Sequence, residues 1–192
     1  MNLACSSMRN RERGVTLIEL LVAMFILAVG MGAVLVLFMN ATVSNNKNLR
    51  DTGSTLLAQM ILEQISSQHP NSTADIIVTD CTGVQWTVAS AGAVAPNGQG
   101  ATLDQNAASA TYGGIDQTQA YTAIPANYAM QYTDCDTNGQ QNVYEIRWNV
   151  ITITANSTRL ITVSARQANL SSNQLGGAKF AMPVTVRAIG GT

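Results

Sequence analysis

Apolar residues are concentrated near one end of this chain. Residues 15–38 form an almost wholly apolar stretch of 24 residues, which as a helix would be roughly 36 Å long at about 1.5 Å per residue. That length is enough to cross a bilayer with some tilt. The stretch contains no proline, and Gly30 and Gly32 allow close packing against another helix. The pattern therefore predicts a membrane-spanning helix.

The helical pattern continues past this apolar part. Residues 40–53 are polar, and apolar residues then recur at helical spacings. These residues are Leu56, Leu57, Met60, Ile61 and Ile65. Because Pro70 cannot continue a helix and disfavours it in the preceding residue, we expect the helix to end by about Gln68. Its second half should pack the apolar stripe against a globular head.

Beyond Pro70 the hydrophobic period changes to two, which predicts strands. The candidates are residues 74–81, 84–90, 130–133, 143–153, 159–167 and 180–189. In the fourth, Tyr144, Ile146, Trp148 and Val150 share one face, and Glu145, Arg147 and Asn149 share the other. We expect the first face to pack on the helix and the second to meet solvent or a neighbour. The predicted fold class is α+β, with a long N-terminal helix packed on an antiparallel β-sheet head.

Four regions follow from these patterns: a leader at 1–14, a membrane or core helix at 15–39, its continuation at 40–69, and a β-rich head at 70–192. Within the head, residues 91–127 have few apolar anchors. Loops this long are uncommon unless they are functional or disordered. Two interpretations stay open for it, a loop for subunit contact or display and a mobile surface insertion.

Charge is sparse and unevenly placed. Only 11% of the 192 residues are charged and the formal net charge is −1, against about 25% charged in a typical globular domain. No basic run suggests nucleic-acid binding. Arg9, Arg11 and Arg13 precede the apolar stretch, and basic residues beside a span stay on the cytoplasmic side. The N-terminus is therefore expected inside and the head outside the membrane.

Glu19 is a charged residue within the apolar stretch. A carboxylate near the bilayer centre costs about 2.5 kcal/mol or more and is usually functional. A cleaved secretory signal, with an apolar region of about 7–15 residues, and a simple membrane anchor both leave it unexplained. If the chain is cut between Gly14 and Val15, a new α-amino group arises four residues earlier. In a staggered stack of subunits, Glu19 of one could pair with the amine of its neighbour.

The segment from Arg13 to Ala23, Arg-Gly-Val-Thr-Leu-Ile-Glu-Leu-Leu-Val-Ala, closely resembles the processing motif of type IV prepilins and type II secretion pseudopilins. The resemblance implies that a prepilin peptidase cuts after Gly14 and N-methylates Val15, where the family often has Phe. Its other implied partners are fellow pilins, through the helix, and an inner-membrane assembly platform. The strand pattern Tyr144-x-Ile146-x-Trp148-x-Val150 is similar to that of PilV-type minor pilins.

The resemblance implies a minor type IV pilin that is incorporated into or primes a pilus. Two alternatives stay open: a minor pseudopilin of type II secretion, and a tip adhesin or DNA-uptake pilin. No nucleophile motif or Gly-rich phosphate loop occurs, and His69 is the single histidine, so an enzyme is not expected.

Cys81 and Cys135 lie in the predicted head, whereas Cys5 lies in the leader. An even pair in an exported domain predicts a disulfide. It would close a loop of about 55 residues and stabilise the head by roughly 4 kcal/mol on the chain-entropy model.

A calcium-loop spacing is present at Asp134, Asp136, Asn138 and Glu145, which match positions 1, 3, 5 and 12 of such loops. The flanks read as strands, however, whereas the calcium loop of this type lies between helices. The alternative is an Asp/Asn/Gly turn that leads into a strand. Calcium binding is therefore only a secondary hypothesis, and no other cofactor is expected.

Overall fold

The computed structural model describes residues 15–69, 72, 74–135, 139, 141–154, 158–168 and 184–190. Its contacts divide the chain into two compact units, one ending at Ser44 and the other starting at Asn45. In the first unit the chain is helical from Leu17 onwards, as the apolar, proline-free sequence predicts. This helix, α1 (Leu17–Ser66), has 50 residues and continues into the second unit.

In the second unit, α1 meets the head through a narrow stripe at spacings of four, three and four. The buried residues are Ser54, Ala58, Ile61 and Ile65. The predicted stripe is correct for Ile61 and Ile65 but wrong for Leu56, which is 61% exposed. Small side chains explain the difference, because a Cβ on Gly53 would lie 2.5 Å from Tyr144 Oη. The close approach of the sheet at Gly53 leaves Leu56 outside the core, whereas Leu57 and Met60 are half-buried and pack against it.

Within the described residues the head contains eight strands. They are β1 (Ile76–Thr79), β2 (Gln85–Val88), β3 (Ala93–Val94), β4 (Gln99–Gly100), β5 (Ala129–Cys135), β6 (Gln141–Thr154), β7 (Thr158–Gln167) and β8 (Val184–Gly190). β1 and β2 form an antiparallel two-stranded sheet of their own. The other six form a sheet around β6, with β5, β4 and β3 along one edge and β7 then β8 beyond the other.

All pairings are antiparallel except the two-residue contact of β3 with β6. The predicted α+β fold, one long N-terminal helix and a mainly antiparallel head, is confirmed. One face of β6, with Tyr144, Ile146, Trp148 and Val150, belongs to the hydrophobic core together with Ile61 of α1. This face behaves as its period-two pattern predicts.

The opposite face of β6 is not exposed, and the expectation that it meets solvent or a neighbour is wrong. Glu145, Arg147 and Asn149 are 8%, 2% and 1% exposed. Glu145 forms ion pairs with Arg147 and, at 3.0 Å, with Arg166 of β7. The side chains are polar because they bind other polar groups of the protein.

Arg147 and Asn149 bind groups of residues 97–119, here called the covering segment, which fall within the loop predicted at 91–127. Asn149 Nδ2 donates to the carbonyl oxygens of Asn97 and Ala101 at 2.9 and 2.8 Å. Arg147 Nη1 donates to the carbonyl oxygen of Gln119 at 2.7 Å. The covering segment is therefore part of the head and not a free surface insertion.

Two glycines let the covering segment approach β6. Gly98 and Gly100 have φ values of +67° and +117°, a region that side chains rarely adopt. A Cβ on Gly100 would lie 2.3 Å from the carbonyl oxygen of Trp148. Only glycine can occupy this point of contact without displacing the strand.

Candidate processing and assembly site at the start of the helix

The residues that follow the predicted cut form a hydrogen-bonded turn. The backbone N–H and the hydroxyl of Thr16 each donate to Glu19 Oε2 at 3.0 Å, and the N–H of Glu19 donates to Thr16 Oγ1 at 3.3 Å. This reciprocal arrangement is a capping box, which satisfies N–H groups that the first turn of a helix leaves without helical partners. It explains why α1 begins at Leu17.

Glu19 therefore has a local task in addition to the pairing between subunits predicted from the sequence. Its carboxylate lies in the first turn of α1, where the helix dipole favours negative charge. It also contacts the N–H of Thr16, one residue after Val15. The predicted cut would therefore create an α-amino group one residue before a residue that Glu19 already binds. The pairing itself stays a prediction.

The predicted cut lies at the edge of regular structure. Val15 is 74% exposed, and neither it nor Thr16 is helical. Gly14, on the other side of the bond, lies outside the described residues, as do Arg9, Arg11 and Arg13. Cleavage and N-methylation of Val15 remain predictions from the motif.

Beyond Glu19 the helix presents a continuous apolar surface. Its large apolar side chains from Leu17 to Met39 are 51–78% exposed, and one 18-residue window has a mean hydropathy of 2.9. By length and composition α1 is able to cross a membrane. An apolar surface of this extent requires lipid or other apolar helices to cover it.

The surface around Glu19 is suited to contact with another helix. Val22, Ala23 and Ile26 follow Glu19 at spacings of three, four and seven, and together with Ile18 they line a shallow groove on one helix face. The small side chain of Ala23 allows a partner helix to come close. A charged partner group would then meet the carboxylate inside apolar surroundings.

The predicted disulfide between Cys81 and Cys135 is confirmed, with the two Cα atoms 5.8 Å apart. Cys81 lies two residues after the end of β1, and Cys135 is the last residue of β5. The N–H of Cys81 also donates to the carbonyl oxygen of Thr133 at 3.3 Å. The bond therefore fastens the β1–β2 sheet to the main sheet.

The calcium hypothesis finds no support in the described residues. Asp136 and Asn138 lie outside them. Asp134 is exposed and pairs in register with Asn142, whereas Glu145 pairs with Gln131. Glu145 is thus three positions, about 10 Å, further along the hairpin than Asp134. It already has two guanidinium partners.

Two sets of interactions were not predicted from the sequence, one at the start of α1 and one around Glu145. Thr16 is a functional part of the helix start, and its signal was the Thr-x-x-Glu spacing of a capping box, which is visible in the sequence. Arg166 as a partner of Glu145 had no such local signal, because only the pairing of β6 with β7 places it opposite Glu145. Arg147 lies two residues from Glu145 on the same strand face, but the ion pair was not predicted.

Part of the chain matches a known family model. Residues 9–35 match the family model of the prokaryotic N-terminal methylation motif. This motif is typical of type IV pilins and pseudopilins, so the resemblance is confirmed for the N-terminal part. No curated protein and no solved structure matched the chain. The match ends at residue 35, and the PilV-type subfamily stays a prediction.

Proposed function

From the N-terminal methylation motif at residues 9–35, we propose that this protein is a minor subunit of a type IV pilus. Prepilin peptidase cuts it between Gly14 and Val15 and methylates the new N-terminus. The protein then enters the filament through α1 and presents its head outside. The single observation that carries the proposal is the motif match, which ends within the exposed apolar part of α1. The role is structural and not enzymatic.

Before assembly the protein spans the inner membrane once. Arg9, Arg11 and Arg13 keep the N-terminus in the cytoplasm, where the cut is made. The head lies in the periplasm, an oxidising compartment in which the Cys81–Cys135 disulfide persists.

Assembly is driven by covering the apolar helix surface and by pairing Glu19. Other pilins replace lipid around residues 17–39, whose large side chains are more than half exposed. An α-amino group at Val15, from the same or a neighbouring chain, removes the cost of an isolated carboxylate in apolar surroundings. Further partners are the peptidase and the inner-membrane assembly platform.

Processing is tested by co-expressing the full chain with a prepilin peptidase and measuring the intact mass of the product. We expect a chain that starts at Val15 and carries one additional methyl group. The matched control is Gly14→Asp, which should stay uncut, because the motif places glycine before the cut. A wild-type chain that remains uncut, or starts elsewhere, would contradict the proposal.

A pilus subunit and a secretion pseudopilin share this processing, so location must separate them. We expect the mature chain in sheared surface fibres, at a small fraction of the amount of the major pilin. Presence in those fibres at major-pilin levels would exclude a minor role. Absence from the fibres, combined with a secretion defect on deletion of the gene, would favour the type II pseudopilin.

A further inference from the structure

The head contains a groove between β2 and residues 121–129. Gln85, Trp86 and Thr87 form one wall, and Tyr121, Pro125 and Asn127 belong to the other. Its volume is about 310 Å³, at the lower end of the range of small-ligand pockets. It lies in the second unit, far along the chain from the processing site, and nothing in the proposed assembly uses it.

Two aromatic side chains supply the apolar part of the groove. The indole Nε1 of Trp86 donates to Asp80 Oδ2 at 3.3 Å, which holds the ring in one orientation. Tyr121 starts a short 3-10 helix, Tyr121–Ala123, and like Trp86 it packs partly against the core. Fixed aromatic rings present electron-rich faces that attract the C–H face of a sugar ring.

The polar groups of the groove are all neutral. Gln85 and Asn127 each offer an amide with donors and an acceptor, and Thr87 offers a hydroxyl. Such groups match sugar hydroxyls, which both donate and accept. No charged residue is among the described residues that line the groove. An ionic ligand would lose its hydration there without a counter-charge, so the chemistry favours a neutral one.

Backbone hydrogen bonds hold the two walls of the groove in place, and the β2 wall is short. At one end the N–H of Ala89 donates to the carbonyl oxygen of Asn127 at 2.9 Å. Asn127, with φ of +67°, is the third residue of a turn closed by the bond from Tyr128 N–H to the Pro125 carbonyl oxygen at 3.2 Å. The β2 wall offers only residues 85–87, about 10 Å of strand. This length suits one or two sugar rings better than an added peptide strand.

We propose that this groove binds a neutral saccharide. One sugar ring stacks on Trp86 or Tyr121, and its hydroxyls bond to the side chains of Gln85 and Asn127. The inference does not depend on assembly into a filament, since all the residues involved belong to the head.

The test uses the full chain in a zwitterionic detergent, because alkyl glycoside detergents would compete for the site. A glycan array should retain neutral glycans, and calorimetric titration with the best neutral disaccharide then gives its affinity. We expect Gln85→Ala and Asn127→Gly each to weaken binding at least about fivefold, since each removes hydrogen bonds to the ligand. Glycine tolerates the positive φ of residue 127, so the turn is preserved.

The matched control is Gln59→Ala, which removes an exposed amide from α1 and should leave the affinity unchanged. Near-ultraviolet circular dichroism confirms that each variant is folded. The proposal is overturned if the wild-type chain retains no neutral glycan, if it retains only anionic ones, or if Gln85→Ala and Asn127→Gly both bind as the wild type does. Competition by an unmodified extended peptide, without glycan binding, would instead identify a strand-addition site.

Discussion

At the scale of single residues, the head is held by buried polar side chains that bind backbone groups. Arg159 is 1% exposed, and burial lowers the pKa of its guanidinium. It donates to the carbonyl oxygens of Ile65 and Ser90 at 3.2 and 3.0 Å, and to that of Gln68. Carbonyls at a helix C-terminus carry partial negative charge. They therefore compensate this buried cation and fasten the end of α1 to β7.

Asp80 plays the corresponding role in the β1–β2 turn. Its carboxylate accepts hydrogen bonds from the hydroxyl and N–H of Thr82, the N–H of Val84 and the indole of Trp86. The bond from the Thr82 hydroxyl is the largest of these effects, and together they hold the pKa of Asp80 at about 2. The unfolded value is about 3.9. Since the folded pKa is the lower one, this stabilisation is complete above about pH 4 and disappears as the pH falls through about 2.

Asp80→Asn should therefore lower the stability of the head at pH 7 and flatten its decline between pH 4 and 2. The wild-type and variant stabilities should approach each other as the pH falls from about 4 to 2, because the stabilisation by the carboxylate charge is progressively lost there. Urea unfolding followed by the fluorescence of Trp86 and Trp148, at pH 7, 4 and 2.5, measures the difference. The control is Asp75→Asn, which removes an exposed carboxyl just before β1. A stability loss at pH 7 that persists unchanged at pH 2.5 would show that the carboxylate charge is not the cause.

The role of a residue could be predicted from the sequence only where its partner is close in sequence or where the residue type occurs rarely in the chain. Cys81 and Cys135 could be paired because no other cysteine remains in the head. Arg159 could not be assigned, since its acceptors at Ile65 and Gln68 are more than 90 residues away. Nothing in the sequence near Arg159 indicates which helix end it binds.

At the scale of elements, β6 shows how a polar strand face becomes interior. Its even-numbered residues pack on the core, as their alternation predicts. Glu145, Arg147 and Asn149 on the opposite face look solvent-facing by the same rule, but they are buried, and the covering segment contacts the last two. The segment attaches through carbonyl oxygens that accept from Arg147 and Asn149. Because backbone acceptors are present in every sequence, no composition of residues 91–127 could reveal this attachment.

Asn149→Ala tests the attachment of the covering segment. The change leaves the carbonyl oxygens of Asn97 and Ala101 without their shared donor, and each unsatisfied buried group costs about 1–3 kcal/mol. We expect the free energy of unfolding to fall by about 1–3 kcal/mol and amide exchange to accelerate across the segment. Denaturant unfolding and hydrogen–deuterium exchange measure the two effects.

The matched control is Asn46→Ala, on the exposed surface of α1, which should change neither quantity. If Asn149→Ala leaves exchange in residues 97–104 as slow as in the wild type, other contacts suffice to hold the segment.

At the scale of the whole molecule, the two units differ in how much of their structure could be predicted from the sequence. The first is governed by local rules: apolar length, basic flank, the Gly-Val junction and the Thr-x-x-Glu spacing. These rules predicted the helix and the motif that the family comparison found. The second depends on contacts between distant strands. Strand positions followed from period two, whereas β3, β4 and the covering segment were missed because β6 supplies their pairing partners.

Glu19 has a role in the start of its own helix and a predicted role in pairing between subunits. Substitutions can separate these two roles. Glu19→Gln keeps a side chain that supports a capping box but removes the charge needed to pair with an α-amine. Thr16→Val removes the hydroxyl of the box and keeps the carboxylate. If charge pairing drives assembly, Glu19→Gln should be cut normally yet largely lost from sheared fibres, while Thr16→Val remains there. Immunoblots of fibre and membrane fractions give both amounts. The opposite ranking, with Thr16→Val excluded and Glu19→Gln incorporated, would assign Glu19 to the start of its own helix.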